Sequence, residues 1–240
     1  MDDILTVKDL RVWFPVKKGV FSRTVGYVKA VDGVSFTLRR GETLGVVGES
    51  GSGKSTLARV VAGLQKPTSG ELKIGGRVGM VFQDPLGSLN PRMTVAASIT
   101  EIPGAWDPRR LLEMVGLDDS ALDKYPHEFS GGQRQRICSA QAIAAKPELL
   151  ICDEAVSALD IQIRAQILDP LMDLKERLGL SLMFITHDLG VVQHVAERLI
   201  VMYHGVVAEE GDCGKILSSP QSDYTRNLIA AVPRIAVQNV

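Results

Sequence analysis

The residues Gly48-Glu49-Ser50-Gly51-Ser52-Gly53-Lys54-Ser55-Thr56 fill every fixed position of GxxxxGK[ST]. A short apolar strand, Thr43 to Gly48, runs into them and a helical stretch, Leu57 to Ala62, follows. Glycines let the backbone curl until several N–H groups face one phosphate chain, and the helix behind adds its positive end. In that arrangement the amides of residues 51–56 hold negative charge, Lys54 reaches the β- and γ-phosphates, and the Ser55 hydroxyl ligates Mg²⁺. The chemistry is nucleoside triphosphate binding. No NKxD follows, which argues against a guanine-specific site.

A second group lies a hundred residues on. Leu149-Leu150-Ile151-Cys152 is a buried-type strand that ends in Asp153 and Glu154. A parallel sheet delivers residues at its carboxyl edge to one crevice, so both acids are expected beside the phosphate loop. Asp153 would complete the Mg²⁺ shell, and Glu154 is placed to polarise an attacking water.

The elements that position these groups follow from the pattern. Residues 4–14 and 28–38 read as strands, with Lys17 to Gly26 as a loop between them. Leu72–Ile74 and Val78–Phe82 read as strands around the Gly75-Gly76 turn. Leu182–Thr186 and Leu199–Tyr203 read as two more. Residues 84–130 are punctuated by Pro85, Pro91, Pro103, Pro108 and Pro126 and read as a small helical insertion. Gly131 to Ala145 and Ile161 to Leu178 read as helices, the second with Pro170 inside it, where a kink is expected. Strands alternating with helices predict a mostly parallel, covered sheet.

Composition narrows the field. Of 240 residues, 45% are hydrophobic, enough for a sizeable core. Twenty-seven basic and 28 acidic side chains give a net charge of −1, which excludes a nucleic-acid binder working by bulk positive charge. Cys138, Cys152 and Cys213 form no metal-type spacing, so a disulfide scaffold is excluded and a reducing compartment is expected. No signal peptide is expected after Met1-Asp2-Asp3, and no run approaches ~20 apolar residues.

Phe129-Ser130-Gly131-Gly132-Gln133 sits between the phosphate loop and the acid pair. Here the sequence resembles the nucleotide-binding subunits of ATP-binding cassette (ABC) transporters, whose signature usually reads LSGGQ. Phe129 stands for the leucine. The resemblance runs from about Leu5 to Pro233 and implies an α/β fold: a P-loop NTPase with a RecA-like core of mostly parallel sheet, N-terminal antiparallel strands and a small α-helical subdomain. It implies one ABC ATPase domain over 1–240, with core segments 1–83 and 131–217, helical subdomain 84–130 and tail 218–240. The cofactors implied are ATP and Mg²⁺.

The resemblance also implies roles. Ser130, Gly131, Gly132 and Gln133 act on the nucleotide held by an opposite subunit. Glu49, Ser50, Gly51, Ser52, Gly53, Lys54, Ser55 and Thr56 bind nucleotide. Gln83 touches Mg²⁺ or the attacking water, joining Ser55 and Asp153 as a metal residue. Ser157 to Asp160 resembles the loop that contacts the opposite subunit, and His187 the switch histidine at the γ-phosphate. Catalysis then falls to Glu154, His187, Lys54 and Gln83. Phe14 resembles the aromatic that stacks on adenine, with Trp13 as the alternative.

Val81-Phe82-Gln83-Asp84-Pro85-Leu86-Gly87-Ser88-Leu89-Asn90-Pro91-Arg92, Tyr125-Pro126-His127-Glu128 and the segment Ser219 to Pro233 are similar to the oligopeptide, dipeptide and nickel importer branch. That branch implies membrane-spanning permease subunits, a second ATPase subunit, an external solute-binding protein and a place on the inner face of the cytoplasmic membrane. No nucleic-acid partner is expected. The stretches from Gly76 to Gln83 and 93–120 are shorter than the branch usually carries, beside the membrane-coupling surface. Those trims favour a second reading, a soluble accessory ATPase of an enzyme complex, whereas the importer motifs favour transport. Cys138, Gln141 and Ala155 also replace the branch's usual Gly, Arg and Pro.

Overall fold

The computed structural model describes residues 2–19, 22–154 and 161–231. Asp160 and the rest of 155–160 lie outside them. So does the segment after Ala231, including Pro233.

The chain forms two sheets. β1 (Asp3–Lys18), β2 (Arg23–Arg39) and β4 (Ser69–Ile74) make an antiparallel sheet in the order β2-β1-β4. β3 (Thr43–Val47), β5 (Val78–Val81), β6 (Leu149–Asp153), β7 (Ser181–Ile185), β8 (Arg198–Tyr203) and β9 (Val206–Asp212) make the second, in the order β5-β6-β7-β3-β8-β9. All its pairings are parallel except β8 with β9.

Every residue of β3, β6 and β7 is buried, because both faces of that sheet are covered. Side chains alternate between two cores. Leu149, Ile151, Met183 and Ile185 face β1, β2 and helix α1 (Lys54–Val61). Leu150, Cys152, Leu182 and Phe184 face the helical side. That side holds α2 (Pro85–Ser88), α3 (Val95–Thr100), α4 (Pro108–Met114), α5 (Gly131–Ala144) and α6 (Ile161–Leu178). Ile99 of α3, Leu111 and Leu112 of α4 and Ile137 of α5 share one core, all fully buried. The insertion after Gln83 is therefore seated on α5. Three more helices, α7 (Leu189–Val195), α8 (Cys213–Ser218) and α9 (Asp223–Ala230), pack at the β8–β9 side.

Two differences from the sequence pattern stand out. Lys17 and Lys18 belong to β1 and pair with Thr24 and Arg23, so the expected loop is mostly a two-stranded ribbon. Its side chains are exposed on both faces, which removes the apolar alternation that marks a strand. The strands flanking Gly75-Gly76 do not form a hairpin: β4 joins the antiparallel sheet and β5 the parallel one. Helix α6 has the expected bounds, Ile161–Leu178, with Pro170 inside it. The elements β9, α8 and α9 lie in a stretch where the sequence pattern marks none. Cys138, Cys152 and Cys213 are all free and buried.

Candidate nucleotide site

Five parallel strands end at one edge. β3 runs into the phosphate loop, β5 into Gln83, β6 into Asp153 and Glu154, β7 into His187, and β8 into His204. A parallel sheet places its ligand crevice at this carboxyl edge.

The loop's shape depends on two glycines. Gly48 has φ 147° and Gly53 φ 106°, conformations that side-chain-bearing residues rarely adopt. A Cβ on Gly48 would lie 2.2 Å from the Met202 carbonyl oxygen, and one on Gly53 2.1 Å from that of Ala30. Gly53 is also the N-cap residue of α1, so the curl ends where the helix begins. The turn between β8 and β9 braces this curl. Gly205 N–H donates to the Ser52 carbonyl (2.9 Å), and the Gly205 carbonyl accepts from Asp32 N–H (2.8 Å).

Lys54 is 4% exposed. Its ammonium donates to the carbonyls of Gly48 (2.7 Å) and Glu49 (2.8 Å) and lies 3.5 Å from Ser52 Oγ. Burial draws its pKa below the usual lysine value, against the opposing pull of Glu154, Asp153 and Glu49. Among the described residues this buried ammonium is held only by backbone carbonyls and a serine hydroxyl, with no carboxylate bonded to it, and it suits a phosphate oxygen as its counter-charge.

Ser55 Oγ–H donates to Asp153 Oδ1 at 3.0 Å, which ties α1 to β6. Burial pushes the Asp153 carboxyl above the usual carboxylate range, and the Ser55 bond opposes that. The oxygen donors of Ser55, Asp153 and Gln83 suit a hard ion such as Mg²⁺, which keeps water and phosphate oxygens as its other ligands. Among the described residues no group of three or more His, Cys, Asp or Glu forms an all-protein metal cage.

Glu154 follows β6 in the left-handed conformation, φ 50°. Its N–H donates to the Ile185 carbonyl (2.9 Å), which fixes it against the end of β7. Gln83 Nε2 donates to Glu154 Oε2 at 2.9 Å, and His187 Nδ1 lies 3.5 Å from Glu154 Oε1. The carboxylate is mostly covered and the imidazole half exposed. Three strands thus converge on one carboxylate beside the Ser55–Asp153 pair.

A cleft of about 380 Å³ opens here. Ser50, Gly51, Gly53, Lys54, Ser55, Thr56, Gln83 and Glu154 line it. Val28, Lys29, Ala30 and His204 form its remaining wall, and sequence reasoning missed all four. Their proximity comes from the meeting of the antiparallel sheet with the β8–β9 turn, which no local motif signals. Phe14 is not in the lining; it is the cross-strand partner of Val28 and 40% exposed. Trp13 is engaged elsewhere: its indole N–H donates to Asp32 (3.1 Å) and Lys29 sits over its ring.

Ser130, Gly131, Gly132 and Gln133 are also absent from that lining. Ser130 is the N-cap of α5. It accepts from Gln133 N–H (3.4 Å), and Gln133 Oε1 accepts from Ser130 N–H (3.0 Å). The signature is therefore a closed capping box within the chain, away from the cleft of its own phosphate loop.

Comparison with known proteins points to one family. The ABC transporter family model matches residues 31–157. The oligopeptide transport ATP-binding protein OppF of Lactococcus lactis is 43% identical over 99% of this chain and 82% of its own length. The dipeptide transport ATP-binding protein DppF of Haemophilus influenzae is 45% identical over 97% of this chain and 79% of its own. Among solved structures, a dimeric post-hydrolysis state of an ATP-binding cassette bound to ADP and Pi superposes with a TM-score of 0.74. It is 27% identical and covers 87% of this chain and 98% of that one. With a phosphate loop, a capped signature helix and an acid pair in this order and fold, the chain belongs to the ABC transporter family, as an ATP-binding and ATP-hydrolysing subunit.

Proposed function

We propose that the cleft binds Mg-ATP and that Glu154 is the group that polarises the attacking water. The observation that carries this is the convergence of Gln83, His187 and Glu154 at the ends of three adjacent strands, next to Ser55 and Asp153. Phosphoryl transfer needs positioning and charge stabilisation more than covalent help. The amides of residues 51–56 and Lys54 hold the phosphates, with Glu49 and Ser50 shaping the loop. Ser55, Gln83 and Asp153 hold Mg²⁺, which neutralises charge on the phosphates. Gln83 and His187 fix the Glu154 carboxylate, and the imidazole would contact the γ-phosphate of a bound nucleotide. Phe14, across from Val28 at the cleft wall, stacks on adenine.

Ser130 to Gln133, with Asp160 of the segment outside the described residues, act on the nucleotide of a second ATPase subunit. Such a pair drives a pair of membrane-spanning permeases, fed by an external solute-binding protein, and imports a peptide-like or nickel-type solute. The relatives named for oligopeptide and dipeptide transport support this choice over an accessory ATPase. Among the described residues no helix is long and apolar enough to cross a membrane, so any membrane-spanning part belongs to another chain or to residues outside these. The subunit would sit at the inner face of the cytoplasmic membrane, docked through the insertion of 84–130.

The test is Glu154→Gln, which keeps the hydrogen-bonding shape and removes the base. Hydrolysis at saturating Mg-ATP should fall by at least about 100-fold while ATP affinity stays within about threefold. Near-normal phosphate release in this variant would remove Glu154 from the role.

A further inference from the structure

Helix α9 reaches the phosphate loop through one side chain. The Tyr224 hydroxyl accepts a hydrogen bond from Glu49 N–H at 3.1 Å. Its ring packs on Tyr203 with centroids 4.2 Å apart. The start of α9 is clamped in turn, since the Glu209 carboxylate of β9 accepts from the N–H groups of Gln221 (2.8 Å) and Ser222 (3.1 Å).

The Glu49 N–H and the Gly48 carbonyl belong to the same peptide unit, and in a trans peptide they point in opposite directions. The carbonyl end accepts from Lys54 Nζ at 2.7 Å. One rigid plane is therefore pinned at both ends, by Tyr224 on one side and by the phosphate-binding lysine on the other. If that plane turned, Lys54 would lose one of its two carbonyl acceptors and Gly48 would leave the pose that Met202 closely limits.

We propose that Tyr224 is a positioning residue for the phosphate loop, holding the Gly48–Glu49 peptide in the orientation that aims Lys54 and the loop amides at the nucleotide. This rests on the reading of the cleft as the Mg-ATP site. The hydroxyl acts before any chemistry occurs, so its loss belongs in nucleotide affinity and not in turnover.

The experiment compares Tyr224→Phe and Tyr203→Phe with the unaltered full chain. It measures Mg-ATP binding by calorimetry, steady-state hydrolysis and thermal melting without nucleotide. Tyr224→Phe keeps the ring stack and deletes only the acceptor. Its Kd and KM for ATP should rise about three- to tenfold, the range expected for one hydrogen bond, with kcat changed by less than about twofold. Tyr203→Phe, whose hydroxyl makes no bond to the loop among the described residues, should keep the original Kd. The melting temperatures should agree within about a degree. The proposal is overturned by an unchanged Kd in Tyr224→Phe, by an equal rise in Tyr203→Phe, or by a rise that comes with several degrees of lost stability. Failure of the unaltered chain to bind Mg-ATP would instead overturn the reading of the cleft.

Discussion

Gly53 shows how little freedom single positions have at this site. Its left-handed φ, its place as the N-cap of α1 and the Ala30 carbonyl oxygen 2.1 Å from where a Cβ would stand leave room for hydrogen alone. Gly53→Ala should destabilise the chain by about 2–4 kcal/mol and abolish measurable ATP binding, read by thermal melting and calorimetry. By contrast, Gly51 has nothing within 4 Å of such a position and is constrained only by its φ of 81°. Residue roles of this kind were legible in the sequence because GxxxxGK[ST] is contiguous, and the spacing itself encodes the curl. Val28, Lys29, Ala30 and His204 were not legible, since they join the cleft through the meeting of two sheets.

Elements carry the next constraint, which is how the helical insertion stays in place. α4 is capped by Asp107, whose carboxylate accepts from Arg109 N–H, and it buries Leu111 and Leu112 completely. Those leucines meet Ile99 and Ile137, so the insertion is held to α5 by apolar contact. Leu111→Ala should cost about 2–5 kcal/mol in denaturant unfolding, whereas Glu113→Ala on the exposed side should stay within about 0.5 kcal/mol. At this scale the buried strands β3, β6 and β7 were easy to read, being short continuous apolar runs. β9 and α9 were not, because each packs only one partial face and spends much of its length in polar residues. The ribbon around Lys17 and Lys18 escaped for the same reason: pairing there is between backbones, and the side chains leave no pattern.

At the scale of the whole molecule, the proposed pairing assigns the signature helix and the phosphate loop of one chain to different sites. The closed capping box of Ser130 and Gln133 lies outside the lining of its own chain's cleft. A head-to-tail pair would build each site from both chains, and mixing tests that directly. Ser130→Arg and Glu154→Gln should each be inactive alone. A mixed pair joins an intact Glu154 on one chain to an intact Ser130 on the other at one of its two sites. Equal mixing should therefore restore about a quarter of the original phosphate release, since about half of the pairs are mixed. Activity no greater than the sum of the two separate variants would place the signature's role within a single chain.

The β8–β9 turn has a practical consequence. Surface hairpins are usually where a chain accepts a tag or an inserted domain. Here both main-chain groups of Gly205 are committed, one to Ser52 of the phosphate loop and one to Asp32 of the antiparallel sheet. A reporter spliced at His204-Gly205 would act as a wedge between the loop and its brace, silencing the very activity it was meant to follow. For following hydrolysis alone, Gly104 is the gentler graft point: it is exposed, has nothing within 4 Å of its missing side chain, and lies in the proposed docking insertion away from the loop's brace.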